Sequence, residues 1–165
     1  MNKDFPFHYE TSGLLNSSIE GAFNYLDDHT KLSGHMNKSS WMMMGSQMLT
    51  EFDSAQGKSI GAKIIMRGKM MGVPLFVNEE ITERIPQFKK TWETQGPQKL
   101  VILDQYKMGF ILKPEGKEST KLTVFIDYCI PTSGFKHLLA VATAKIYAKW
   151  CTESMVKDAE THFQH

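Results

Sequence analysis

The stretch SGFKHLLAVATAKIYAKWCTESMVKDAETHF, Ser133–Phe163, decides the fold. Leu139, Ala142, Thr143, Ile146, Tyr147, Trp150 and Cys151 recur at alternating spacings of three and four, which puts them on one helical face. Unbroken, such a helix is roughly 45 Å long at 1.5 Å per residue. From Ser46 to Ile130 no segment keeps that period. A long helix with so little helical company must lay its apolar face on a sheet. A curved sheet that wraps the helix is the natural receiver, and such a grip leaves room for a cavity.

Working back from the helix, the chain reads as strands and turns. Phe5–Thr11 alternates Phe5, Phe7 and Tyr9 against Pro6, His8 and Glu10, a first strand. Ser17-Ser18-Ile19-Glu20 reads as a capping box with Ser17 as N-cap, opening a helix to about Leu26. Asp27-Asp28-His29-Thr30 ends it, and a second short helix is expected over Thr30–His35. Trp41–Gly45 is irregular. Strands are expected over Gln47–Phe52, Ile60–Met70, Leu75–Ile85, Phe88–Thr94, Val101–Leu112 and Thr120–Ile130. Turn chemistry separates them: Ala55-Gln56-Gly57-Lys58, Gly72-Val73-Pro74, Pro86-Gln87, Gly96-Pro97 and Pro114-Glu115-Gly116. Consecutive short connections make an antiparallel meander.

Composition narrows the function classes. One domain, 1–165, is the expectation at 165 residues, and 41% hydrophobic with 22% charged residues is the balance of an ordinary soluble protein. A net charge of +1 supplies no basic field for nucleic acid. Seven of the 11 methionines cluster, at Met42, Met43, Met44 and Met48 and again at Met66, Met70 and Met71. They fill a core or adapt a binding surface. The two cysteines, Cys129 and Cys151, form no CxxC, the N-terminus lacks an apolar signal core, and no run reaches transmembrane length. A reducing cytoplasm is the expected setting, without an integral membrane segment.

The order strand, two short helices, about six strands and one long helix resembles the helix-grip, or SRPBCC, superfamily. Its members include START lipid-transfer domains, the birch-pollen allergen family and polyketide cyclases. Ile81-Thr82-Glu83-Arg84-Ile85-Pro86 is similar to the strand that ends in proline there. Leu112-Lys113-Pro114 followed by Ser119-Thr120-Lys121-Leu122-Thr123 is similar to its hairpin. The resemblance covers nearly the whole chain and implies an α+β helix-grip fold, a curved antiparallel sheet of about seven strands around the C-terminal helix. It also implies a groove for lipids, steroids, polyketides or aromatics. It carries over no catalytic residue, because the superfamily has no shared catalytic signature.

Alternation assigns faces. Phe7, Tyr9, Ile64, Met66, Met70, Leu75, Val77, Glu79, Ile81, Trp92, Tyr106, Met108, Phe110, Leu122, Val124, Ile126 and Tyr128 are expected inside. Lys63, Arg67, Lys69, Asn78, Arg84, Lys107, Lys121 and Asp127 are expected outside. Glu79 is the anomaly. Either it faces the interior as a ligand-binding or acid–base carboxyl, or the register slips by one and Glu80 does. Tyr106 and Tyr128 offer hydroxyls to a ligand or to the backbone, and Trp92 and Trp41 offer stacking surfaces. Met66, Met70, Met108 and Ile146 complete the expected ligand-binding set with Trp41, Glu79, Trp92, Tyr106 and Tyr128. His35 beside Gly34 is a weaker candidate.

Other chemistries lack a signal. There is no nucleotide-binding glycine loop, no H-E-x-x-H and no nucleophile elbow. The six histidines form no helical pair with a third ligand, so neither metal nor cofactor is expected. Cys151 has no evident activating base. The leading expectation is binding or transport of a small hydrophobic or aromatic molecule. A cyclase or dehydratase acting in the same cavity is the alternative, and an interaction module with a filled interior is the third. A homodimer through an outer patch around Phe125 and Cys129 is left open.

Overall fold

The computed structural model describes residues 4–32, 48–70 and 73–164, with the Met70 side chain excepted. Strand β1 (Phe7–Leu15) is followed by helices α1 (Ile19–Asp27) and α2 (His29–Leu32). Strands β2 (Met48–Phe52), β3 (Lys63–Met70), β4 (Val73–Ile85), β5 (Lys89–Thr94), β6 (Gln105–Gly116) and β7 (Ser119–Cys129) come next, and α3 (Gly134–His162) closes the chain. The strands form one antiparallel sheet in the order β1-β7-β6-β5-β4-β3-β2. The sheet curves around α3, as the sequence leads one to expect.

The inward residues are those that alternation picks out. Ile64, Val77, Ile81, Phe110, Leu122, Val124 and Ile126 are all essentially inaccessible. Each such side chain contributes about 1.5–3 kcal/mol by leaving water. Facing them from α3 is a row of small residues, Ala140, Ala144, Ala148 and Ala159, with Cys151, Thr152, Met155 and Val156. This corrects the helical face read from the sequence, because Ala142 and Ile146 are exposed. Alanine lets the helix axis approach the sheet; larger residues on that side would hold it off. Gly13 on β1 serves the same approach: a Cβ there would stand 2.5 Å from Val156 Cγ1. Beside it Thr11 and Thr152 share a hydroxyl hydrogen bond of 2.8 Å.

Local differences from the sequence reading have physical causes. The α1 N-cap is Ser18, whose hydroxyl accepts from the Gly21 N–H at 3.2 Å, rather than Ser17. The Ser17 backbone carbonyl accepts instead from the buried Thr120 hydroxyl at 2.8 Å. Strand β3 starts at Lys63 because Gly61 adopts φ +84° in a turn, which leaves Ile60 exposed. Phe7 is 42% exposed, its ring stacked on Tyr128 at the end of the sheet.

A bulge in β4 has the largest consequence. Ile81 pairs with Trp92, but the next pair is Glu83 with Thr91, so Thr82 is the extra residue. The insertion reverses the alternation beyond it. Arg84, expected outside, turns toward α1 and forks onto the Asp27 carboxylate with bonds of 3.0 and 2.8 Å. Phe125 is a second correction. It lies on the outer face but is only 8% exposed. Its ring fills the place a side chain at position 109 would take, 2.8 Å from a Cβ built on Gly109, and His8 stacks over it. Phe125 itself therefore presents little apolar surface.

Candidate functional site

Three elements bring the polar residues together. Glu79 sits on β4 between Ile64 of β3 and Thr94 of β5. Its side chain is 2% exposed, so Glu79 rather than Glu80 points inward. Tyr106 stands near the start of β6, where the ladder with β5 has ended at Glu93–Lys107. The buried Thr94 hydroxyl replaces the missing ladder contact. It accepts from the Tyr106 N–H at 3.1 Å and donates to the Tyr106 carbonyl at 3.2 Å. With its backbone held there, Tyr106 donates its hydroxyl proton to Glu79 Oε1 in a short hydrogen bond.

His29 completes the cluster from the opposite direction. It opens α2, two residues beyond Asp27, and is 3% exposed. Its Nε2 lies 3.5 Å from Glu79 Oε2. The imidazole meets Trp92 edge-on at 4.9 Å and Phe52 at 6.3 Å. Asp28 caps α2, accepting from the Thr30 N–H at 3.1 Å and the Thr30 hydroxyl at 2.6 Å. Behind it lies a buried charge cluster. Lys90, fully inaccessible, donates to the Asp27 carbonyl at 2.8 Å and to its carboxylate at 3.1 Å, while Arg84 takes the rest of that carboxylate. Burial drives the Asp27 carboxyl upward, but Arg84 and Lys90 outweigh it and hold the group below its ordinary value. Burial lowers Lys90 against the pull of Asp27. The cluster fixes the end of α1, and so the point from which His29 departs.

These groups wall a cavity of about 50 Å³. At roughly 10–15 Å³ for a single water, that free space equals a few waters. His29, Glu79, Trp92 and Tyr106 supply its polar and aromatic side; Leu32, Met66, Met108, Ile126 and Met155 its aliphatic side. Tyr147 and Cys151 enter from α3, one turn apart. Burial, then the negative charge of Glu79, pushes the Tyr106 phenol well above its ordinary value, so it remains a proton donor. Burial does the same to Tyr147. Burial raises the Cys151 thiol to about 12, though the Tyr147 hydroxyl pulls it the other way. That thiol is no nucleophile at neutral pH. Glu79 Oε2 is buried and has no hydrogen bond among the described residues. An acceptor left so in an apolar setting costs free energy until a donor reaches it.

Of the residues singled out from sequence, Met66, Glu79, Trp92, Tyr106 and Met108 line this cavity. Two do not. Ile146 is 52% exposed on the far side of α3, and its neighbour Tyr147 takes the inward position. Tyr128 is buried at the sheet end against Phe7, away from the cavity lining. Trp41, Met42, Met43, Met44, His35 and the Met70 side chain lie outside the described residues. Sequence reasoning missed His29, read only as part of a helix break, along with Leu32 and Met155. Among the described residues no group of three metal-ligating side chains converges, and no helix is long and apolar enough to cross a membrane.

No family model matches the chain, and no curated protein does. Solved structures do. Norcoclaurine synthase from Thalictrum flavum, solved with dopamine and hydroxybenzaldehyde, superposes with a TM-score of 0.65 at 13% identity, covering 94% of this chain and 84% of that one. The Zhui aromatase/cyclase from a Streptomyces species gives 0.64 at 10% identity, with 93% of each chain covered. Ara h 8.0201 gives 0.60 at 11% identity, covering 95% and 97%. At these identities the likeness speaks for architecture alone. With the sheet order, the long closing helix and these superpositions together, the chain has the helix-grip fold that these structures share.

Proposed function

We propose that the protein binds a small, mainly apolar molecule in this cavity, as a carrier or sensor, and works as one domain in a reducing cytoplasm. One observation supports the reading above others: Glu79 Oε2, buried and without a hydrogen bond, has the His29 imidazole 3.5 Å away and belongs to a cavity wall that is otherwise mostly aliphatic and aromatic. An apolar body supplies affinity by leaving water, at about 25 cal/mol per Å² buried. A hydroxyl or other donor on the ligand satisfies Oε2 and sets its orientation. The free space as it stands holds only a few waters, so a single ring or a short chain enters as the lining side chains move. Met66, Met108 and Met155 can swing aside for something larger, since methionine has several soft torsions. Native mass spectrometry of the purified protein tests this. A co-purifying small molecule that leaves in the Glu79→Gln protein supports it; an empty protein that no small apolar alcohol or phenol stabilises refutes it.

A second reading has its own support. His29 and Glu79 together form a buried acid–base pair beside a phenol that stays protonated. Such a pair moves protons on a bound substrate in enzymes of the cyclase or dehydratase kind. The two readings separate cleanly. Replacing His29 with Phe abolishes turnover in an enzyme and leaves affinity within a few fold; in a carrier there is no turnover to lose.

A further inference from the structure

The outer side of α3 carries a surface that the cavity does not explain. Phe135, Leu138, Val141 and Ile146 are 79%, 69%, 64% and 52% exposed. With Ala142 they follow helical spacing along about three turns of one side. In the second half of the helix the corresponding side carries Thr152, Val156 and Ala159, all buried, with β1 packed there through Thr11 and Gly13. The apolar strip thus continues past the end of its cover. Leu14 and Leu49, also exposed, are different: each stands beside a basic residue on the next strand, Lys121 and Arg67.

Charge decides what the strip fits. From Gly134 to Thr152 the helix holds Lys136, Lys145 and Lys149 and not one Asp or Glu. Lys145 and Lys149 continue the row of Val141 along the apolar strip, and Lys136 sits by its start. Glu153, the first acid, lies 3.7 Å from Lys149 at the far end. A second copy in a two-fold pairing would set lysine rows against each other with no carboxylates to meet them. An anionic lipid surface matches both properties. Apolar side chains enter the boundary between headgroups and acyl chains while lysines reach the phosphates.

We propose that the first half of α3 is a binding site for anionic membrane surfaces, with the helix lying flat and Phe135 and Leu138 inserted. The opposite side of the same helix carries Tyr147 and Cys151 into the cavity. Docking therefore places the lipid surface against the wall of the ligand site, where an apolar molecule is loaded or released.

Co-sedimentation of the full chain with vesicles tests this, using phosphatidylcholine alone or mixed with phosphatidylglycerol. Binding to the mixed vesicles is expected, weakened by salt and much weaker on phosphatidylcholine alone. Lys145→Gln and Lys149→Gln each lower the partition coefficient roughly fivefold. Phe135→Ser with Leu138→Ser lowers it by more than roughly tenfold. Both residues are exposed, so the fold is unaffected, and circular dichroism verifies it. Absence of binding to the anionic vesicles overturns the proposal. So does undiminished binding by the Phe135/Leu138 variant. So does a dimer in analytical ultracentrifugation that this variant dissociates, since the strip is then an interface between copies.

Discussion

His29 and Glu79, fifty residues apart, meet in the interior with Nε2 and Oε2 at 3.5 Å. Neither element alone makes the site. The sheet supplies a carboxyl that alternation forces inward, and the α1–α2 corner supplies the imidazole. Tyr106 holds the other carboxyl oxygen, so Oε2, beside His29 in the cavity wall, has no hydrogen bond among the described residues. Glu79→Gln keeps the shape but replaces one oxygen by an N–H₂ donor. Affinity for a donor-bearing ligand should fall by up to about tenfold, the weight of a hydrogen bond at about 0.5–1.5 kcal/mol. Calorimetry on the two proteins measures it.

Asp27 governs the corner that carries His29. Asp27→Ala leaves Lys90 charged, buried and without its counter-charge, and should cost about 3–5 kcal/mol in denaturant unfolding. Lys90→Met, which removes a buried cation that burial already disfavours, should cost much less. The Asp27 carboxyl is held below its ordinary value in the folded protein. Its stabilising effect is present above the unfolded pKa and is lost as pH falls through the folded one. Acid unfolding of the wild type should therefore steepen below about pH 4, the carboxylate range. In Asp27→Asn that contribution should be missing.

The thiols report on packing. Burial raises Cys151 to about 12, and it lies inside the cavity wall. It should resist a thiol reagent at mildly alkaline pH, while the half-buried Cys129 reacts. A ligand in the cavity should slow Cys151 further. Spectroscopic titration should likewise show Tyr106 and Tyr147 ionising only as the protein unfolds.

Gly109 tests the sheet. A Cβ there would stand 2.6 Å from the Lys90 carbonyl oxygen and 2.8 Å from Phe125 Cζ. Gly109→Ala should destabilise by about 1–3 kcal/mol, as overpacking does, and should loosen His8 and Phe125 on the outer face. Chemical denaturation gives the energy, and the amide spectrum shows where the strain spreads.

The architecture was legible because two periods dominate it. Strands with one wet face alternate cleanly, so Ile64, Val77, Trp92 and Tyr106 could be placed inside from the sequence, while the choice between Glu79 and Glu80 waited on the register. The long α3 announced itself by length. Its buried face was harder. Its first half is apolar on most sides, so periodicity alone could not rank Ala144 above Ile146; close approach to the sheet selected the small residues. The bulge at Thr82 was invisible too, since an extra residue has no compositional mark, and it sent Arg84 to Asp27. His29 was missed for a different reason. Its role depends on where a corner lands against a strand fifty residues later, which no local pattern encodes.

A hollow in which Glu79 Oε2 takes a hydrogen bond from its guest is tested most directly by thermal unfolding with phenol and with benzene at equal concentration. The two rings differ by a single hydroxyl. Phenol should raise the melting temperature more than benzene does in the wild type, because its O–H reaches Glu79 Oε2. In Glu79→Leu the two should act alike. If neither ring stabilises the wild type, the interior admits no guest; if both do so equally, the buried carboxyl has no part in holding one.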